Sequence, residues 1–330
     1  MIYEKAIVEV MDEILQDKIN YLALSEKLHQ LKSLLLKITE LDLNNFEDRK
    51  DLEFGNGIAL CTTFAALCID DIMRTRQFVR GIYQAIKDKQ KENNNPVHLF
   101  YAGTGPFATL ILPILSRISP EEIRLTLLDV NQKTLDYLSR VIEELSIEPY
   151  IDQIICADAS MYQFDASQHI DVLVSETMQH GLVKEQQVPI MINLVSQLPK
   201  KSIVIPNNIQ LDLARMNSRS NLRLEGKNHL IYKQIKRLLD FTPEFIHTID
   251  AKEKNFPLCS QVDFLEGQKV YDKLVILTSI QVYKDEWIHV DLSSLTIPNF
   301  LLKSHQEKDR KHISLSYVIK EQPNFEFELS

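Results

Sequence analysis

Apolar positions recur along this chain with two different periods. Ile7, Val8, Met11, Ile14 and Leu15 stand at helical spacing, and so do Leu28, Leu31, Leu34, Leu35 and Ile38. Residues 1–45 are therefore expected to form an amphipathic helix pair that packs on a core or on a second subunit. Phe-Gly-Asn-Gly at 54–57 interrupts the pattern, helix is expected again over 59–87, and the polar run 87–96, closed by Pro96, reads as a solvated linker. Beyond it the pattern changes. Compact apolar runs at 97–101, 123–128, 151–156, 170–174 and 202–205 predict strands. They alternate with helical patterns at 107–116, where Pro113 marks a kink, 131–145 and 190–198. This alternation predicts an α/β fold whose parallel sheet is covered on both faces. After Pro206 the pattern is mostly strand, at 209–213, 273–282, 287–292, 312–319 and 325–329, with a helical insertion at 230–239. The expected organisation is a helical region at 1–95, a sheet domain at 96–206 and a β-rich domain at 207–330.

Composition narrows the function. A hydrophobic fraction of 45% with 25% charged residues is that of a globular protein. Thirty-seven Lys and Arg against 46 Asp and Glu leave a net charge of −9, which suits a cationic substrate and supplies no dense basic face for nucleic acid. Cys61, Cys68, Cys156 and Cys259 form no CxxC pair and no zinc spacing, so buried, reduced thiols of a cytoplasmic protein are expected. No apolar run reaches the roughly 18 residues of a membrane helix, and the N-terminus carries Glu and Asp through its apolar pattern, unlike a signal peptide. Neither a membrane nor a nucleic acid is an expected partner.

Glycine is scarce, at eight residues, yet two fall within Gly103–Gly105. The run Ala102-Gly103-Thr104-Gly105-Pro106 follows a strand: Gly103 lets the backbone turn, and Gly105 lets a ligand approach the main chain. Asp129 closes the next strand, 24 residues after Gly105, where a carboxylate can accept both ribose hydroxyls of a nucleoside. Asp158 follows the third strand, placed to accept the exocyclic amine of adenine. Gly103-x-Gly105-x-x-Ala108 also matches a dinucleotide form, which keeps a nicotinamide-dependent dehydrogenase as an alternative.

After the fourth strand, Glu176 and Glu185 stand nine residues apart. On a helix, nine steps of ~100° would place them on opposite faces. They converge only if the segment doubles back, which Gly181 permits. A buried carboxylate pair calls for a cation, and a guanidinium is its planar, bidentate match.

At these residues the chain resembles the protein arginine methyltransferase family. The double-glutamate loop of that family is matched at Ser175, Glu176, Met178, Leu182 and Glu185. Asp71-Ile72-Met73-Arg74-Thr75 resembles its D-x-x-R-T helix, and Ile205-Pro206 its exit into a C-terminal β-barrel. The glycine turn is similar to that of the symmetric-dimethylating branch, with Tyr101 in place of the first glycine. The resemblance covers roughly residues 70–320 and implies a Rossmann-like sheet binding S-adenosyl-L-methionine (SAM), preceded by helices and followed by a barrel-like domain. It further implies that Arg74, Tyr101, Gly103, Thr104, Gly105, Asp129, Asp158 and Ala159 contact SAM. Glu176 and Glu185 would be the catalytic pair, and the chain would form a homodimer. The family's Thr-His-Trp loop is missing; the nearest stretch is 269–272. The expected reaction is in-line methyl transfer to a guanidinium nitrogen, without a metal, with His180 a candidate proton relay. Loss of the Thr-His-Trp loop and the added N-terminal helices tilt the substrate toward free L-arginine or another small guanidine. The alternative is an arginine-containing peptide. Arg215, Arg219 and Arg223 are candidates for a substrate carboxylate. A catalytically inactive binding module is the remaining alternative.

Overall fold

The computed structural model describes residues 2–330 except 93–94, 166–167, 218–230, 251, 265–270 and 304–309. The chain opens with the expected helix pair, α1 (Ile2–Leu15) and α2 (Tyr21–Thr39). Val10, Met11, Ile14 and Leu24 are fully buried, so the apolar stripe of each helix is its packing face. Asn20 caps α2 by accepting a hydrogen bond from the Ala23 amide at 3.2 Å.

The single helix expected over 59–87 is corrected. A short hairpin, β1 (Leu52–Phe54) and β2 (Gly57–Ala59), precedes helix α3 (Thr62–Leu67). Asp71 then takes an extended conformation before α4 (Ile72–Glu92) begins. The expected linker is also helix: α4 reaches Glu92, and buried Lys89 donates 2.7 Å hydrogen bonds to Glu92 and to the Lys201 carbonyl.

The sheet follows the sequence pattern closely. Strands β3 (Val97–Ala102), β4 (Ile123–Asp129), β5 (Ile151–Cys156), β6 (Val172–Ser175) and β7 (Ile203–Ile205) lie in the order β5-β4-β3-β6-β7, every pair parallel. All four residues of β6 are buried, as a strand covered on both faces requires. Strand order reverses between β3 and β6, so the carboxyl ends of these two strands bound the crevice where such sheets bind ligands. Helix α5 (Gln132–Leu145) buries Leu135, Leu138, Val141 and Ile142 against the sheet, and α6 (Gln187–Ser196) follows the acidic loop. The helix expected over 107–116 reduces to a 3-10 turn, Leu112–Ser116, after Ala108 adopts a left-handed φ of 45°. Phe107, Leu110, Ile111 and Ile114 are all buried, so the segment is core-filling rather than amphipathic.

The C-terminal part is antiparallel. One sheet joins β8 (Asn208–Met216), β9 (Tyr232–Phe241), β11 (Lys273–Tyr283), β12 (Glu286–Ile288) and β13 (Asn299–Lys303). The other joins β10 (Asn255–Asp263), β14 (His312–Val318) and β15 (Asn324–Leu329). The helical insertion expected at 230–239 is instead β9, paired with β8 from Ile209↔Phe241 to Met216↔Tyr232. Two register shifts break its alternation and hide the strand period in the sequence. Packing against α4 is close: a Cβ on Gly81 would lie 2.6 Å from Val282 Cγ1. Among the described residues no helix is long and apolar enough to cross a membrane. The four cysteines are free, but only Cys61 is buried; Cys68 and Cys259 are half-buried and Cys156 is exposed.

Candidate functional site

A cavity of about 350 Å³ opens at the carboxyl end of the parallel sheet. Its floor is the glycine turn. Gly103 and Gly105 adopt φ of +79° and +62°. A Cβ on Gly103 would lie 2.3 Å from Thr177 Cγ2, so this position excludes a side chain for two reasons. The Gly103 amide donates to the Leu128 carbonyl at 2.8 Å, and the Gly105 amide to Asp129 Oδ2 at 3.0 Å. Asp129 Oδ1 accepts from the Asn131 amide at 3.0 Å. Burial raises the Asp129 pKa, while these backbone donors act to lower it. Thr104 Oγ1 is buried without a hydrogen-bond partner.

The second wall is the loop after β6. It doubles back because Gln187, fully buried at the start of α6, ties its entry together. Gln187 Oε1 accepts from the Thr177 amide at 2.9 Å and hydroxyl at 2.8 Å, and Nε2 donates to the Ser175 carbonyl at 3.1 Å. Gly181 turns the chain at φ +67° and donates to Thr278 Oγ1 at 3.0 Å. Leu182 and Lys184 are also left-handed, at φ 58° and 68°, and are pinned from outside. Tyr317 donates its hydroxyl to the Leu182 carbonyl at 2.7 Å, and the Ile58 amide donates to the Lys184 carbonyl at 2.9 Å.

This folding brings Glu176 and Glu185 to the same cavity, 8% and 5% exposed. Glu176 accepts from Arg74 Nε at 2.7 Å and also from Nη2. Burial weakens the Arg74 charge, but Glu176 beside it overrides that and raises the guanidinium pKa. Burial also raises Glu176, against the pull of Arg74. Among the described residues Glu185 forms no ion pair of its own. Burial, with Glu176 adding to it, pushes its carboxyl up to about 8. Its Oε1 is buried and has no hydrogen-bond partner.

Of the other expected contacts, Tyr101 and Ala159 line the cavity with Gly103, Thr104, Gly105 and Asp129. Arg74 lines it too, but engaged with Glu176. Asp158 stands outside the lining: its Oδ1 accepts from the Ser160 amide at 2.8 Å, and its neighbours Ala157 and Ala159 face the cavity instead. Arg215 is fully buried in the β-rich part and donates to the Phe264 carbonyl at 2.7 Å, away from the site. Arg219 and Arg223 lie outside the described residues, as do the first two residues of 269–272.

Two contributors were not foreseen. The β1–β2 hairpin covers one side, with Ile58, Ala59 and Leu60 in the lining, and Asn56 bridges Gln186 at 2.7 Å and Ser160 at 2.9 Å. The second is the segment after β12, where Ser294, Leu295 and Ile297 reach the cavity. Asp71 holds that segment, accepting from Ser293 Oγ, the Ser294 amide and Ser294 Oγ, each at 2.7 Å. Ser293 and Thr296 form a capping box, and that spacing was the one local sign of the turn. Among the described residues no group of His, Cys, Asp or Glu is arranged to hold a metal ion.

Solved structures with a similar course of the chain were found at low identity. They are protein arginine methyltransferases. One is Trypanosoma brucei PRMT1, in an enzyme–prozyme heterotetrameric complex with AdoHcy: 10% identity, 80% of this chain and 91% of that one, TM-score 0.47. Another is Arabidopsis thaliana protein arginine methyltransferase 10, in a uniquely open conformation: 10% identity, 76% and 86% covered, TM-score 0.48. No family model matches the chain, and no curated protein does.

Proposed function

We propose that this protein is a SAM-dependent methyltransferase acting on a guanidinium nitrogen of free L-arginine or another small guanidine. One observation carries the reading. Glu185 is a buried carboxylate with an unpartnered oxygen, in a cavity whose floor is a glycine turn beside a ribose-type aspartate. An unpaired buried acceptor is costly, and a guanidinium supplies the missing donor and charge. Glu176 already holds one guanidinium, that of Arg74, by two hydrogen bonds.

SAM supplies an electrophilic methyl on a sulfonium. In this reading Gly103, Thr104, Gly105 and Asp129 hold its nucleoside, with Tyr101 and Ala159 against it. Arg74 turns Nη1, now donating to the Cys68 carbonyl at 3.3 Å, to its carboxylate. Glu176 and Glu185 orient the substrate and draw positive charge toward one terminal nitrogen, leaving a lone pair on the other. Alignment supplies most of the rate. The hairpin and the 294–297 segment, which both line the cavity, support a small substrate over a peptide.

Separate thermal-shift titrations with SAM and NAD, then mass spectrometry with SAM plus free arginine or an arginine-rich peptide, test this. Stabilisation by SAM and methylated free arginine are expected. Stabilisation by NAD alone rejects the reading, and methylation of the peptide alone rejects the small substrate.

A further inference from the structure

Methyl transfer to a guanidinium releases one proton, and the cavity restricts where it can go. The nitrogen lone pair forms the N–C bond, the C–S pair returns to sulfur, and the methylated nitrogen sheds a proton to stay within a monocation. Asp71 is saturated by Ser293, Ser294 and the Arg74 amide. Asp129 accepts from two backbone amides. Glu176 is bound to Arg74, and Glu185 grips the substrate in the reading above. The Cys68 thiol and the Tyr101 hydroxyl, pushed up by burial, are acids too weak to serve through their anions. Among the described titratable residues of the lining, one is left.

We propose that His180 is the proton acceptor of the methyl transfer, taking the proton from the attacking nitrogen and passing it to solvent. It sits on the acidic loop between the two glutamates, lines the same cavity and is half-buried. Its position is fixed rather than loose, because the next residue, Gly181, is bonded to Thr278 and packs on Asn299. Burial and the nearby Lys184 lower its pKa, leaving a neutral imidazole with a free lone pair near pH 7. Neither Ser294, Leu295 nor Ile297, facing the cavity from the β-rich part, carries charge; Lys184 is the charged group that acts on His180, and Asp71, Arg74, Asp129, Glu176 and Glu185 line the same cavity.

The inference rests on the guanidine methyltransferase reading, and the test separates the two. Full-length protein and the variants His180→Gln and His180→Ala are compared for SAM affinity, arginine KM and kcat across pH. The variants are expected to keep SAM affinity and KM while kcat falls about 100-fold. Imidazole added to His180→Ala should restore turnover, which a structural role would not allow. The unaltered protein should show an acid limb in kcat with its midpoint below about 6.5. That limb is read without any variant, so misfolded variants would not block the test. An unchanged kcat in both variants, or no acid limb, overturns the role of His180. Failure of the unaltered protein to methylate any guanidine overturns the underlying reading instead.

Discussion

Glu185 makes the site measurable in the ligand-free protein. Its carboxyl titrates at about 8 in the fold and near the ordinary 4.5 when unfolded. An acid raised in this way adds stability that is complete below the unfolded value and is lost as pH rises through the folded one. Ligand-free protein should therefore lose stability between about pH 5 and 9, and Glu185→Gln should flatten that loss, as denaturant melts at several pH values would show. The same shift makes guanidine binding at pH 7 release a proton from Glu185, read by calorimetry in buffers of different ionisation enthalpy. Equal heats in all buffers would contradict this. Gly103 gives a second residue-level test. Its φ of +79° and the 2.3 Å approach of Thr177 Cγ2 are separate penalties. Gly103→Ala should cost about 1–3 kcal/mol or more, and adding Thr177→Ser should recover only the steric part. Both glycines and both glutamates were legible in the sequence because each needs a residue type that few positions tolerate. Asp158 caps its own turn outside the cavity lining, and in sequence a loop acid looks the same whether it does that or faces a ligand.

Elements differed in legibility for reasons of range. The parallel strands are buried on both faces, and continuous apolar runs such as 97–101 announce that in any context. Strand β9 lost its alternation to register shifts, and the apolar residues Ile231, Ile235, Leu238 and Leu239 then mimic helical spacing. The hairpin at 52–59 and the segment at 291–297 are too short to show a period. What fixes the latter is Asp71, 222 residues away from Ser293 in sequence, and no local pattern encodes such a bond. This contact joins the start of α4, which carries Arg74, to the roof of the cavity. Asp71→Asn keeps one oxygen for capping α4 but replaces the oxygen that accepts from Ser293 and Ser294 with a donor. The roof should loosen while the glycine turn stays intact. Arginine KM is expected to rise roughly tenfold, the effect of losing about 1.4 kcal/mol, with SAM affinity nearly unchanged in calorimetry. A matching loss of SAM affinity would show that the segment supports the cofactor side instead.

The end of α1, helix α4 and strand β12 meet on one guanidinium. Arg80, in the middle of α4, donates through Nη1 to the carbonyls of Ile14 at 3.2 Å and Gln16 at 3.4 Å, where α1 ends. Through Nε it donates to Glu286 in β12 at 2.7 Å. A cation is well placed at the helix C-terminus of α1, and the buried Glu286 gains its counter-charge from the same group. Arg76 adds a 2.6 Å bond to the Gln16 carbonyl. The helix pair and the β-rich part are thus tied through α4, the helix that Asp71 precedes and whose first turn holds Arg74. Removing the arginine strands a buried acid with Gln84, at 3.0 Å, as its remaining side-chain donor among the described residues. Arg80→Ala should then destabilise by about 3 kcal/mol, near the lower range for breaking a buried pair. Adding Glu286→Gln should return much of that loss, because the stranded charge rather than the missing bond dominates the cost. Denaturant unfolding of the single and double variants measures the coupling. If the losses simply add, Glu286 is solvated in the folded state and Arg80 joins the parts by packing alone.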